Sequence, residues 1–184
     1  MKKYELTNES ITIDNRILYR IRALRDVGGF IESGDLGGFI ESEINLSHNH
    51  TAWVGDNAKV YGDAQICDNA RVFDNAEVSG KAIIYGDAHV CGGAKVSEYV
   101  CIYEDAGVSG NARITGSARL LGNSEVFDDA RVCGEAWITG NACVSGNAWT
   151  SRDVKLDHGI WIKTSEIDGR YYLISTILEK VLIR

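Results

Sequence analysis

The side chains able to do chemistry are few and scattered. His48, His50, His89 and His158 are the only histidines. His89 alone lies inside the repeat region described below, and no carboxylate is placed by sequence to orient it as a general base, so it reads as a solvated surface side chain. His48 and His50, in SHNHT, would need His89 folded against them to bind a metal, without the close ligand pairs of a zinc site. Cys67, Cys91, Cys101, Cys133 and Cys143 form an odd set with no C-x-x-C pair, read as small side chains on a sheet surface. The sequence therefore predicts no catalytic set, no metal and no cofactor. The glycine pairs of GGFIES and DLGGF do not join a strand to a helix, which makes a phosphate loop a weak reading. One grouping remains: Trp53, Arg71, Phe73 and His89 carry aromatic and cationic groups able to stack a base and hold its phosphate.

What would position these groups is a six-residue repeat. Alanine recurs at 52, 58, 64, 70, 76, 82, 88 and 94 and again at 106, 112, 118, 130, 136, 142 and 148, with Val100 and Ser124 as the interruptions. Two residues after each position through 142 stands an aliphatic residue, from Val54, Val60 and Ile66 through to Ile138 and Val144. Asn or Asp mostly precedes the alanine, and Gly often precedes that. These residues tolerate tight and left-handed backbone, so each hexapeptide ends in a corner. Period six fits neither an amphipathic helix nor a long-stranded meander, but it fits a coil of short parallel strands with Ala and Val/Ile stacked inside. The absence of proline agrees, since nearly every strand N–H in such a coil has a neighbour to bond.

The repeat resembles the hexapeptide-repeat left-handed β-helix over Ala52 to Ala148, although glycine comes one position later than the enzyme families usually place it, as in Val60-Tyr61-Gly62. The resemblance implies three hexapeptides per coil and a triangular section, hence five to six coils. The N-terminal run ILYRIRALRDVGGFIESGDLGGFIESEINLSHNHTAWV is also similar to phage- and prophage-encoded hexapeptide-repeat proteins, implying a bacterial or viral cytoplasmic setting. Resembling acyltransferases use a His general base between subunits beside a pantetheine groove. Resembling carbonic anhydrases need a three-His zinc set whose spacing is not matched here.

The expected fold is all-β: residues 1–50 form a hairpin and cap, 51–150 the β-helix, and 151–184 a second hairpin or oligomerisation segment of the same folded unit. Asp14-Asn15 and Asp168-Gly169 are the predicted turns, and the repeated GGFIES at 28–33 and 37–42 reads as two glycine-hinged edge segments. The caps protect the open ends of a parallel coil.

Residues eighteen apart then share a face. One face carries Trp53, Arg71, Phe73 and His89, a second Lys59, Glu77, Lys95, Arg113, Arg131, Cys133 and Trp149. The third is apolar over several coils, with Ile83, Tyr85, Cys101, Tyr103, Leu121 and Trp137. Such a ladder marks an interface: either a second subunit of a dimer or trimer covers it, or the C-terminal Tyr171, Tyr172, Leu173, Ile174, Ile177 and Leu178 do.

The net charge of −7 sits mostly on the repeats and argues against general nucleic-acid binding, while an acidic rod mimicking a duplex is a secondary reading. Asp and Asn at the corners are turn chemistry rather than calcium ligands, since the nonapeptide pattern is absent. MKKYELTNES has no signal-peptide core and no run approaches 18 apolar residues, which points to a cytoplasmic protein away from membranes. The functional expectation is a non-enzymatic phage-type binding or inhibitor protein, a rigid oligomer that blocks or sequesters a host factor such as a defence protein or its nucleotide messenger. The alternatives are an acyltransferase-like enzyme and a structural or assembly protein.

Overall fold

The structure is a computed structural model that describes residues 2–150 and 154–157 in full and the backbone of 161–167 and 170–175. Residues 52–150, with 154–156 beyond them, wind into a three-sided parallel β-helix. Two-residue strands repeat every eighteen residues on each face, as in Trp53↔Arg71, Lys59↔Glu77 and Gln65↔Ile83. The third face alone has six rungs, from Gln65–Ile66 to Lys155–Leu156. Backbone bonds climb from coil to coil, for example Trp53 N–H to Ala70 O at 3.0 Å and Arg71 N–H to Ala88 O at 2.9 Å.

The inward ladder is the core. Every repeat alanine from Ala52 to Ala148 is fully buried, as are Val54 to Val144 at the aliphatic position, apart from a 1% exposure at Val132. Each buried Val, Ile or Leu adds roughly 1.5–3 kcal/mol. Both interruptions also point inward: Val100 and Ser124 are buried, and the Ser124 hydroxyl has no hydrogen-bond partner.

Corners fall two residues before each alanine, where φ is positive. Glycine fills many of these positions, such as Gly62, Gly80 and Gly116. A Cβ at Gly80 would lie 2.6 Å from the Glu98 backbone nitrogen, so the coil spacing itself excludes a side chain there. The other corners carry Asp56, Asp68, Asp74, Glu98, Glu104 and Asp128. Each accepts a hydrogen bond from the backbone N–H eighteen residues on, at 2.7–3.3 Å. A short acidic side chain thus offsets the cost of left-handed backbone by capping the next corner. Much of the rod's acidity is therefore committed to holding its own corners.

The N-terminal end is closed donor by donor. Strands β1 (Tyr4–Ile13) and β2 (Arg16–Ala23) form the expected hairpin about Asp14-Asn15, both at positive φ, and β3 (Leu36–Ile40) pairs antiparallel with β2 and parallel with Lys59–Val60. The first-coil carbonyls receive Lys3 Nζ (Ala52, 2.6 Å), Arg20 Nη1 (Asp56, 3.1 Å), the backbone of Phe39 and Glu41 (Ala58 and Val60), Asn45 Nδ2 (Gly62 and Ala64) and the Ser47 backbone (Ile66). Tyr4 donates to Leu46 O at 2.7 Å, completing the plug.

The two GGFIES copies are not equivalent. Gly28 and Gly29 turn with φ of 61° and 73°, whereas Gly37 and Gly38 lie in β3, where a Cβ would come 2.5 Å from Val54 O or Ala58 O. Only the second copy is a strand of the stack. The first is an excursion that follows the buried Val27 and packs Ile31 against the core.

At the other end, Cys143–Gly146 pairs parallel with 161–164, and Trp161–Ile167 pairs antiparallel with Arg170–Ser175, up to Ile167↔Arg170. The expected hairpin is present, but it extends the first face. The turn pair Asp168-Gly169, Ile177, Leu178 and the side chains from Tyr171 to Ile174 lie outside the described residues.

Candidate functional site

Among the described residues the histidines do not assemble into a metal-binding group. His89, exposed on the first face, lies over Gly107, where a Cβ would be 2.6 Å from Nε2; the ring occupies room left by glycine on the next rung. His48 belongs to the plug: Nδ1 accepts the Lys3 N–H at 3.2 Å, the ring stacks on Tyr4 at 4.3 Å, and Nε2 is 3.7 Å from Glu43. His50 sits in a turn at φ 51°, and His158 is outside the described residues. No group of three His, Cys, Asp or Glu is placed to hold a metal among the described residues.

Cys67, Cys91 and Cys143 are not activated nucleophiles. Burial, followed by the Glu125 and Asp128 carboxylates, pushes the Cys143 thiol up to about 11, and burial raises Cys67 and Cys91 as well. A raised thiol pKa leaves little thiolate at neutral pH.

The first-face strip is closed by the chain itself, which corrects the expectation of a base-stacking site. Trp53 is fully buried, Phe73 is half-buried against the core, and the Arg71 guanidinium already stacks on Phe30 at 3.9 Å. Phe30 comes from the first GGFIES copy. No periodic signal marked that excursion as a lid over the first coils.

The third face brings together all six residues assigned to it. Cys101 pairs with Ile83 and Arg119, and Arg119 with Trp137, in one ladder. Tyr85 and Tyr103 stack in the adjacent column at 4.9 Å and 6°, next to Leu121. Arg119 folds over the Trp137 ring at 4.7 Å, a cation–π contact that covers its charge with apolar surface. Ile83 and Trp137 remain 36% and 38% exposed.

The second face holds groups that spacing placed there but did not single out. Tyr61 lies under the N-terminal cap and donates to Glu77, which also receives Lys95 at 2.8 Å. Burial works upward on Glu77, yet the bonds from Lys95 and Tyr61 and the charges of Lys95 and Lys59 hold its carboxyl below the usual range. Further along, Arg113 and Arg131 lie on adjacent rungs, followed by Trp149, which is 68% exposed.

Fold and surface together define a hexapeptide β-solenoid, a repeat β-helix protein whose polar groups largely serve its own corners and cap. A family model described as the YdcK β-solenoid repeat matches residues 64–80 and 106–122, and the chain is similar to that family over those stretches. None of the curated proteins matches the chain. No helix among the described residues is long and apolar enough to cross a membrane.

Proposed function

We propose that this chain is a non-enzymatic binding protein: a rigid β-helix, oligomeric through its third face, that blocks or sequesters a bacterial host factor. The observation that carries this reading is the ladder of Ile83, Cys101 and Trp137 beside stacked Tyr85 and Tyr103, flat and partly exposed on a fixed scaffold. A contiguous apolar surface of this kind marks an interaction site. The host setting rests on the similarity of residues 17–150 to phage-encoded repeat proteins. Supporting the non-catalytic part, His48 is tied into the cap and His89 rests on a neighbouring rung.

Two assays test it. Wild-type protein immobilised in bacterial lysate retains a stoichiometric partner that Trp137→Asp loses, and purified protein leaves acyl-CoA unconsumed in the presence of amine and hydroxyl acceptors. Acyl-CoA turnover abolished by His89→Ala would establish the enzyme reading instead.

A further inference from the structure

We propose that the second face carries a nucleoside-phosphate site, in which Arg113 and Arg131 hold the phosphate and Trp149 stacks the base. The argument begins with where the arginines go. Arg16, Arg20 and Arg22 pair with Glu41, Glu9 and Glu5, Arg25 reaches the Asp26 carbonyl, and Arg71 and Arg119 stack on Phe30 and Trp137. Among the described residues, only Arg113 and Arg131 have no such partner. They are also direct neighbours in one parallel ladder, about 4.8 Å apart at the backbone.

Like charges directly opposite on a sheet are destabilising, and this pair stands on a chain of net charge −7. Among the described residues, three nearby acids are engaged elsewhere: Glu77 takes Lys95, Asp128 accepts the Gly146 N–H at 3.0 Å, and Asp129 accepts Asn111 Nδ2 at 3.2 Å; Glu135 forms no ion pair with either arginine. An anion between the two guanidiniums would remove the repulsion, and two planar forks match the tetrahedral oxygens of a phosphate.

The next rung supplies the rest of the ligand's identity. Trp149 pairs with Arg131 and is the most exposed of the large hydrophobic side chains described. Its indole N–H donates to Cys133 Sγ at 3.3 Å, which fixes the ring beside the arginine column. An aromatic face one rung from a phosphate fork suits a planar base carried on a phosphorylated sugar, through stacking that tolerates any base. The site lies on a different face from the proposed contact ladder, so either can fail without the other.

The test is calorimetric titration of the full chain with ADP, pyrophosphate, adenosine and a polyglutamate peptide. ADP binds saturably, pyrophosphate more weakly, and adenosine and the peptide not measurably. Arg113→Ala and Arg131→Ala each weaken ADP by about tenfold or more, as loss of a charge-assisted fork requires. Trp149→Ala weakens ADP and leaves pyrophosphate unchanged. Melting curves of the exposed-arginine variants match or exceed wild type. ADP failing to bind, arginine variants binding like wild type, peptide binding instead of ADP, or pyrophosphate matching ADP with no effect of Trp149→Ala would each overturn the assignment.

Discussion

Ser124→Ala is predicted to make the protein more stable. Ser124 occupies the alanine position of its coil, between Ala106 and Ala142 in the same inward column, and is fully buried. Its Oγ has no partner, so folding removes a hydroxyl from water without replacing its hydrogen bonds, at a cost of about 1–3 kcal/mol. Alanine fits the site, as the columns above and below show, and it leaves little cavity because only the oxygen is deleted. The expected gain of about 1–3 kcal/mol corresponds to a rise of roughly 2–4 °C in Tm per kcal/mol for a chain of this size. Reversible urea or thermal unfolding followed by circular dichroism reads it directly. A Ser124→Ala protein equal to or less stable than wild type would show that the hydroxyl is satisfied inside the coil and would refute the reasoning. Thr150, buried at the aliphatic position with an unpartnered Oγ1, provides a parallel case; Thr150→Val gains stability and adds to Ser124→Ala, since the two lie in different columns.

Other perturbations follow from the corners and the cap. Glu98→Ala keeps a non-glycine residue at φ 66° and loses the 2.9 Å bond to Gly116 N–H, costing about 1 kcal/mol in denaturant unfolding. Glu98→Gly relieves the backbone and falls closer to wild type; a glycine variant less stable than the alanine variant would contradict the role given to the corner acid. Burial, then the charge of Arg25, lowers Lys3 to about 8, with Cys67 opposing. Since an unfolded lysine titrates near 10.5, the unfolded chain holds the extra proton between these values, and Lys3 makes stability rise with pH from about 8 to 10. Lys3→Met flattens that rise and lowers stability below pH 8 by leaving Ala52 O without its donor; an unchanged pH profile would show Lys3 to be solvated.

The architecture was legible because one physical demand repeats. Each Ala and Val/Ile must stack on its copy, so the step of six, the three faces and the eighteen-residue register all follow from Ala52 to Ala148. Asp14-Asn15 was readable for a similar reason, as a turn needing two residues at positive φ. The first GGFIES was not, because the same six residues obey different neighbours: free of the stack they turn through Gly28 and Gly29, and against the first coil they extend through Gly37 and Gly38. That excursion occupies Arg71 through Phe30, and Trp53 is itself fully buried, which closed the strip expected on the first face. Glu98 and Glu104 at left-handed corners were equally hidden, since their justification is an N–H one coil away. Arg113 and Arg131 stand out only once the described ion pairs and ring contacts of the other arginines have been assigned.

The most direct test of the contact surface is light scattering combined with thiol labelling at Cys101, which lies in the centre of the third-face ladder. Wild-type protein is predicted to run as a dimer or trimer with Cys101 protected, and Tyr103→Asp with Trp137→Asp to run as a folded monomer in which Cys101 labels readily. A wild-type monomer whose Cys101 labels as fast as in the double variant would contradict the assignment of this face as the interface.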